Sequence, residues 1–395
     1  MKKILFVDDE EQILRSITRL FRTTDYDIYT APEGESALKI LETEEIDLII
    51  SDMRMPFMDG YGLLSKVKEL YPKVIRVMLS GYTEEKLIFK AIQKNIAKLY
   101  VFKPWENEKL LNVVDQIFES KKSIKDNNLL IHINNIEELI TTNVNYQRIL
   151  SLIQSGTDIE KITFEIEKDQ SIALKVLHVA NSAYCNVKTG SIKQAVSYLG
   201  LQNINNIILS YSAIDTFDND SLATYLNMLS KHSFVTNKLV KYIYNKLLCK
   251  ELSEKYSAIG LLHDVGIVFL FKCFGEKYYN LFIKSIQENI NIAELEREIL
   301  GTTHEEVGGY LLNWWGLPDQ IVEAAFFHHM PMDIRVINKE MVCVVHLADK
   351  YSWDIIKEKC PCNFNDAVFD FLNIEKGRFE EELKNFMSVL GERDE

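Results

Sequence analysis

Over the first 120 residues, short apolar runs rich in β-branched residues alternate with segments whose apolar positions recur at helical spacing. The runs at residues 3–7, 27–30, 47–51, 74–79 and 98–102 predict five strands. Between them, Ile13, Ile17, Leu20 and Phe21, then Ala37, Leu38 and Leu41, mark amphipathic helices. Ile4-Leu5-Phe6-Val7 and Leu48-Ile49-Ile50 are nearly unbroken apolar text, as expected of strands covered on both faces. Alternating units of this length imply a parallel sheet with helices on each side.

The pattern changes after Glu106. Leu110, Leu111, Val114, Ile117 and Phe118 continue a helix, and the polar stretch 119–128 reads as the start of a linker. From Val144 onward the periodicity is almost wholly helical. It is broken at Gly156, Gly190, Gly200, Gly316-Leu317-Pro318 and Pro331, with no repeat of fixed period. The expected organisation is an α/β domain over 1–120, a partly helical linker over 121–140, an all-α domain over 141–350 and a helical extension over 351–395. The extension is expected to be loosely attached near residues 360–366.

The net charge of −13 and a pI near 5.3 argue against a protein built to grip phosphate backbones. No helix-turn-helix with basic flanks is recognisable, so direct DNA binding is not expected. No run of 18 apolar residues predicts membrane insertion, and the N-terminal apolar run ends too soon in Asp8-Asp9-Glu10-Glu11 for a secretory signal. Six scattered cysteines suit a reducing cytoplasm. Cys360-Pro361-Cys362 is too close and isolated for a metal knuckle and reads as a loop.

The chemically interesting residues of the first domain fall at carboxyl ends of strands, where a doubly wound sheet gathers ligands. Asp8 and Asp9 follow strand one, Asp52 strand three, Ser80 strand four and Lys103 strand five. Strands one and three are neighbours in the flavodoxin-like order 2-1-3-4-5, so three carboxylates converge. They repel unless a cation sits among them, and Mg²⁺ fits an oxygen-only site. A carboxylate beside Mg²⁺ can take a phosphoryl group as an acyl phosphate, with Lys103 pairing its charge and Ser80 donating to an oxygen.

Ile4-Leu5-Phe6-Val7-Asp8-Asp9-Glu10, Ser51-Asp52-Met53-Arg54-Met55-Pro56, Asp59-Gly60, Leu79-Ser80-Gly81 and Phe102-Lys103-Pro104-Trp105 together resemble the response-regulator receiver family. The resemblance implies that Asp52 is the phospho-acceptor, supplied by a sensor histidine kinase. It also implies that Asp9, Asp52 and the Arg54 carbonyl hold Mg²⁺ with Asp8 assisting, and that Ser80 and Tyr100 are a switch pair. A cis peptide before Pro104 is a further implication.

In the helical text, six of the eight histidines fall between residues 232 and 346. His232, the His263-Asp264 doublet and Asp349 can close around one borderline metal such as Fe, Mn or Zn. His304, His328 and His329 can serve an adjacent ion. His346 either orients Asp349 or is an ordinary helix residue, and His178 reads as a packing residue. Tyr310, Trp314, Trp315, Phe326 and Phe327 read as core.

The H…HD…D pattern resembles the HD superfamily of metal-dependent phosphohydrolases, and His304 with His328-His329 matches further ligands of its cyclic di-GMP-hydrolysing subgroup. That subgroup's GYP loop is replaced here by Met330-Pro331-Met332. The closer resemblance is to HDOD, the superfamily's regulatory branch. It rests on Leu177-His178-Val179-Ala180-Asn181-Ser182-Ala183-Tyr184, Ala195-Val196, Leu199-Gly200-Leu201, His304-Glu305-Glu306-Val307-Gly308 and Trp315-Gly316-Leu317-Pro318. It implies a phosphorylation-controlled output domain that binds a partner protein or a nucleotide ligand. The alternative is a metal-dependent phosphohydrolase, and a homodimer is left open.

Overall fold

The computed structural model describes residues 2–80, 91, 96–97, 99–103, 105, 107–121, 139, 143–181, 188–211 and 220–391. The chain divides into two compact units at residues 137–138.

The first unit holds five parallel strands in the order β2-β1-β3-β4-β5, as the sequence predicts. They are β1 (Lys2–Val7), β2 (Tyr26–Ala31), β3 (Leu48–Asp52), β4 (Ile75–Ser80) and β5 (Leu99–Phe102). Helices α1 (Glu11–Leu20), α2 (Gly34–Thr43), α3 (Gly60–Leu70) and α4 (Asn107–Lys121) accompany them. The central strands β1 and β3 are fully buried from Ile4 to Val7 and from Leu48 to Ile50. Their register sets Val7 beside Ser51, Asp52 beside Leu79 and Ser80 beside Phe102. Three strands therefore finish along one edge, and the polar residues that follow them share it.

The second unit is helical throughout its described residues. Helices α5 (Asn143–Gln154), α6 (Ile159–Glu167), α7 (Gln170–Asn181) and α8 (Ile192–Tyr211) lead into α9 (Asp220–Tyr242). Next come α10 (Ile259–Leu262), α11 (Val265–Phe274), α12 (Glu276–Glu288) and α13 (Ile292–Leu300). The chain closes with α14 (His304–Trp314), α15 (Asp319–Phe327), α16 (Lys339–Ile355), α17 (Ala367–Leu372) and α18 (Lys376–Gly391). Residues 265–271 of α11 are all buried, which explains why its text is apolar all round. Among the described residues no single helix is long and apolar enough to cross a membrane.

Two glycines set how closely the central helices approach. A Cβ on Gly260 of α10 would stand 2.7 Å from the Cα of Asn237 on α9, and one on Gly266 of α11 would stand 2.0 Å from the His304 carbonyl oxygen of α14. Both contacts are too short for any side chain, so α9–α10 and α11–α14 meet backbone to backbone there. That proximity brings His232, His263-Asp264 and His304 together.

The expected boundary at residue 350 falls inside α16, and the segment beyond it is well fastened rather than loose. Trp353 is fully buried, Phe364 stacks flat on His346 with ring centres 4.9 Å apart, and Pro361 accepts a hydrogen bond from the Ile292 amide at 2.9 Å. The apolar spacing of Phe364, Phe369 and Phe379 carries this attachment, since these rings contact one another edge to face. Tyr310, Trp314 and Trp315 are buried, as expected of core, and Phe326 and Phe327 are half-buried. The expected linker beyond Lys121, the switch side chains of Ser80 and Tyr100, the peptide before Pro104 and residues 182–187 lie outside what is described.

Candidate functional site

At the carboxyl edge of the sheet, Lys103 reaches Asp8 Oδ2 at 2.7 Å and Asp52 Oδ1 at 2.6 Å. Asp52 Oδ2 accepts from the Arg54 amide at 2.9 Å, and Asp8 Oδ1 from the Glu10 amide at 2.9 Å. Burial pushes the Asp52 carboxyl above its ordinary range and Asp8 adds to the effect, against the opposing pull of Lys103 and the Arg54 amide. Burial disfavours charge on Lys103 as well, yet Asp52 and Asp8 hold it above the ordinary lysine value. Asp9 is exposed at the rim. Among the described residues it belongs to none of the groups whose ligand atoms lie within 4.8 Å of one another.

The helical unit concentrates a larger cluster. Asp264 occupies the N-cap position of α11 but caps nothing with its side chain. An aspartate there ordinarily takes a backbone amide. Here Oδ2 faces His263 Nε2 at 3.3 Å and His232 Nε2 at 3.5 Å, while Oδ1 faces His328 Nε2 at 3.1 Å and His304 Nε2 at 3.8 Å. Asp349 spans the cluster likewise, with Oδ1 3.1 Å from His232 Nε2 and 3.5 Å from His263 Nε2, and Oδ2 3.7 Å from His329 Nδ1. His329 Nε2 meets His304 Nε2 at 3.1 Å.

All seven residues expected from the sequence thus meet in one place. They form two overlapping sets that share Asp264: His232, His263, Asp264 and Asp349, then Asp264, His304, His328 and His329. Most of these separations are long for hydrogen bonds. An ion bonded at roughly 2.0–2.2 Å sets tetrahedral ligands roughly 3.3–3.6 Å apart, and the separations found, from 3.1 to 3.8 Å, bracket that range. His232 Nε2, His263 Nε2, His328 Nε2, His329 Nδ1 and Asp264 Oδ1 are buried with no hydrogen-bond partner, a costly condition for polar atoms without a ligand.

The outer ring nitrogens of four of these histidines are anchored. His263 Nδ1 donates to the Gly260 carbonyl at 2.8 Å and His328 Nδ1 to the Ala325 carbonyl at 2.9 Å. His304 Nδ1 donates to Glu296 Oε2 at 2.8 Å. His232 Nδ1 contacts Ser352 Oγ at 2.8 Å, a hydroxyl whose own hydrogen goes to the Asp349 carbonyl. Each bond places a proton on Nδ1 and turns Nε2 inward, the usual bracing of a metal-binding imidazole.

Burial alone would raise the carboxyls of Asp264 and Asp349, but the surrounding histidines hold both well below the ordinary range. Burial also opposes charge on His263 and His304. The neighbouring carboxylates prevail, pushing His263 (through Asp264 and Asp349) and His304 (through Glu296 and Glu305) up to about 10. His329 goes the other way, held well below the ordinary histidine value by burial and by His328. The carboxylates thus demand positive charge at their centre, which a divalent ion satisfies without charging the imidazoles.

Sequence reasoning missed three supporting residues. Trp353 donates from Nε1 to Asp349 Oδ1 at 3.2 Å and stacks on His232 with ring centres 3.9 Å apart. Its place four residues after Asp349 was a readable helical signal. Glu296 and Cys362 had none, being brought in by chain reversals. His346 is neither a ligand nor the orienter of Asp349: its Nδ1 donates to the His328 carbonyl and its Nε2 accepts from the Asn365 amide.

The family model for the response regulator receiver domain matches residues 4–115, and that for the HDOD domain matches residues 139–331. The chain carries a response regulator receiver domain followed by an HDOD domain. Its receiver segment is 33% identical over 113 residues to the hydrogenase transcriptional regulatory protein HoxA of Bradyrhizobium diazoefficiens, covering 29% of this chain and 23% of that protein. The receiver–HDOD chain therefore spans about a quarter of the length of the curated relatives it matches first. The receiver domain of an HD domain-containing protein from Pseudomonas fluorescens Pf-5 is 36% identical, covering 31% of this chain and 98% of that one, with a TM-score of 0.30. The MmoQ response regulator of Methylococcus capsulatus is 22% identical over 63% of this chain and 98% of its own, with a TM-score of 0.49.

Proposed function

We propose that a sensor histidine kinase phosphorylates Asp52 and that this sets the state of a divalent-metal-binding HDOD domain, which engages a partner protein or ligand in the cytoplasm. The observation that carries the output half is the inward convergence of histidine Nε2 atoms on two buried carboxylates. For the receiver half, Lys103 already bridges Asp8 and Asp52, so a phosphoryl group on Asp52 meets a fixed cation. Asp9, Asp52 and the Arg54 carbonyl, helped by Asp8, would hold Mg²⁺ there. Ser80 and Tyr100 would carry the change onward.

Two measurements test this. After incubation with acetyl phosphate and Mg²⁺, the intact chain should gain one phosphoryl mass and the Asp52→Ala chain none. Elemental analysis after Mn²⁺ or Fe²⁺ loading should find bound metal that His263→Ala abolishes. Equal labelling of both chains refutes the receiver half, and a metal-free loaded protein refutes the output half.

A second reading is favoured by one observation. A pocket of about 490 Å³, lined by Asn291, Arg297, Glu305, His329 and Met330 among others, opens beside the histidine cluster. It gives a small substrate access to His329. Ions in the cluster would supply Lewis acidity for phosphoester hydrolysis. Turnover of generic phosphoesters or cyclic dinucleotides by the metal-loaded chain, lost in Asp264→Asn, would establish it, and inert loaded protein leaves the binding reading alone.

A further inference from the structure

Pro361 is pinned to the start of α13 through the Ile292 amide, and the stretch after it is held against the ring of His346, as described above. This double attachment lays the loop over the histidine cluster. As a result Cys362 Sγ, a ring nitrogen of His329 and a carboxylate oxygen of Asp349 all lie within 4.8 Å of one another.

A thiol near a site is by itself unremarkable chemistry. The second observation is His329, whose side chain is 5% exposed and whose buried Nδ1 has no hydrogen-bond partner. Its Nε2 faces His304, so Nδ1 is the atom left over for a ligand on the other side of the ring. Asp349 is divided in the same way: Oδ1 serves His232 and His263, while Oδ2 stands 3.7 Å from His329 Nδ1.

We propose that Cys362, His329 Nδ1 and Asp349 Oδ2 form a third, sulfur-bearing ligand set at the edge of the histidine cluster. This rests on the metal-binding reading of that cluster. A thiolate donor selects softer ions, so the set takes Zn²⁺ or Co²⁺ and rejects Mg²⁺. Three protein ligands leave a fourth position open. Cys360 has no such role: its Sγ contacts the Cys362 carbonyl at 3.5 Å and shapes the turn.

The test is a Co²⁺ titration of the full chain under reducing conditions. Wild type should develop visible ligand-field bands and, in addition, a near-ultraviolet sulfur-to-cobalt charge-transfer band. Cys362→Ser should keep the visible bands and lose the sulfur band, whereas Cys360→Ser should keep both. Visible bands without a sulfur band in wild type, or a sulfur band surviving in Cys362→Ser, overturn the proposal while leaving the histidine sites standing. Absence of all bands overturns it together with the reading beneath it. A readout independent of variant folding is alkylation of Cys362 in the wild-type chain, followed by peptide mass. Bound Co²⁺ should slow it about tenfold or more, because the free thiolate is the reactive form, and a chelator should restore it. Equal rates with and without Co²⁺ overturn the proposal.

Discussion

His346 donates from Nδ1 to the backbone carbonyl of His328 at 2.6 Å, so a histidine that coordinates nothing holds the turn from which two ligands project. Its Nε2 is used as well, by the Asn365 amide at 3.0 Å. His346→Phe keeps the stack on Phe364 but removes both hydrogen bonds. The expected outcome is an affinity for Mn²⁺ or Co²⁺ lowered about 10- to 100-fold, the size of effect typical of outer residues that orient ligands. Competition with a chromophoric chelator measures it, and unchanged affinity would show that the turn holds itself.

Gly266 is irreplaceable for a steric reason. Adding one methyl in Gly266→Ala must part α11 from α14, because the new Cβ would stand 2.0 Å from the His304 carbonyl oxygen. We expect a loss of about 2–4 kcal/mol in urea unfolding, together with loss of metal binding. Gly377, near the start of α18, has no atom within 4 Å of an added Cβ. Gly377→Ala should be neutral or stabilising by up to about 1 kcal/mol. Equal effects from the two substitutions would contradict the packing account.

Lys103 neutralises two buried acids, so Lys103→Ala should prevent stable phosphorylation and also lower stability at neutral pH, by about 1–3 kcal/mol. The sign with pH follows from the raised Asp52 carboxyl. Without the lysine it rises further, and the folded state then binds a proton more readily than the unfolded chain. The penalty should therefore shrink as pH falls toward the carboxylate range. A penalty that stays constant from pH 7 to pH 4 would argue against the charge explanation.

His178 is buried and stacked on Trp315 with ring centres 4.5 Å apart. Burial, with the charge of Lys175, pushes it down to about 3 despite a backbone hydrogen bond involving Trp315. The unfolded chain protonates this residue near pH 6.5 and the folded chain does not. Stability should consequently fall as pH drops from about 6.5 toward 3, with a slope of at most about 1.4 kcal/mol per pH unit from this group. His178→Phe should flatten that part of the acid limb when unfolding is followed by tryptophan fluorescence at several pH values. An identical acid limb in both proteins would remove His178 from the account.

Much of this protein is settled by local text. Unbroken apolar runs make buried parallel strands, and a polar residue just past such a run must emerge at the carboxyl edge, so Asp8, Asp52 and Lys103 could be placed together before any coordinates. The helical ligands were legible as residue types, because imidazoles and carboxylates recurring in otherwise apolar helices need partners. Tertiary structure alone decided which atoms face one another. Asp264 divides its oxygens between two histidine sets because Gly260 and Gly266 let backbones touch, and no spacing rule encodes that approach. The chain reversal after α16 likewise carries Cys362 to His329 and the Asn365 amide to His346 Nε2. Periodicity dictates which face of an element is buried, whereas contacts between distant segments depend on how closely whole helices can pack.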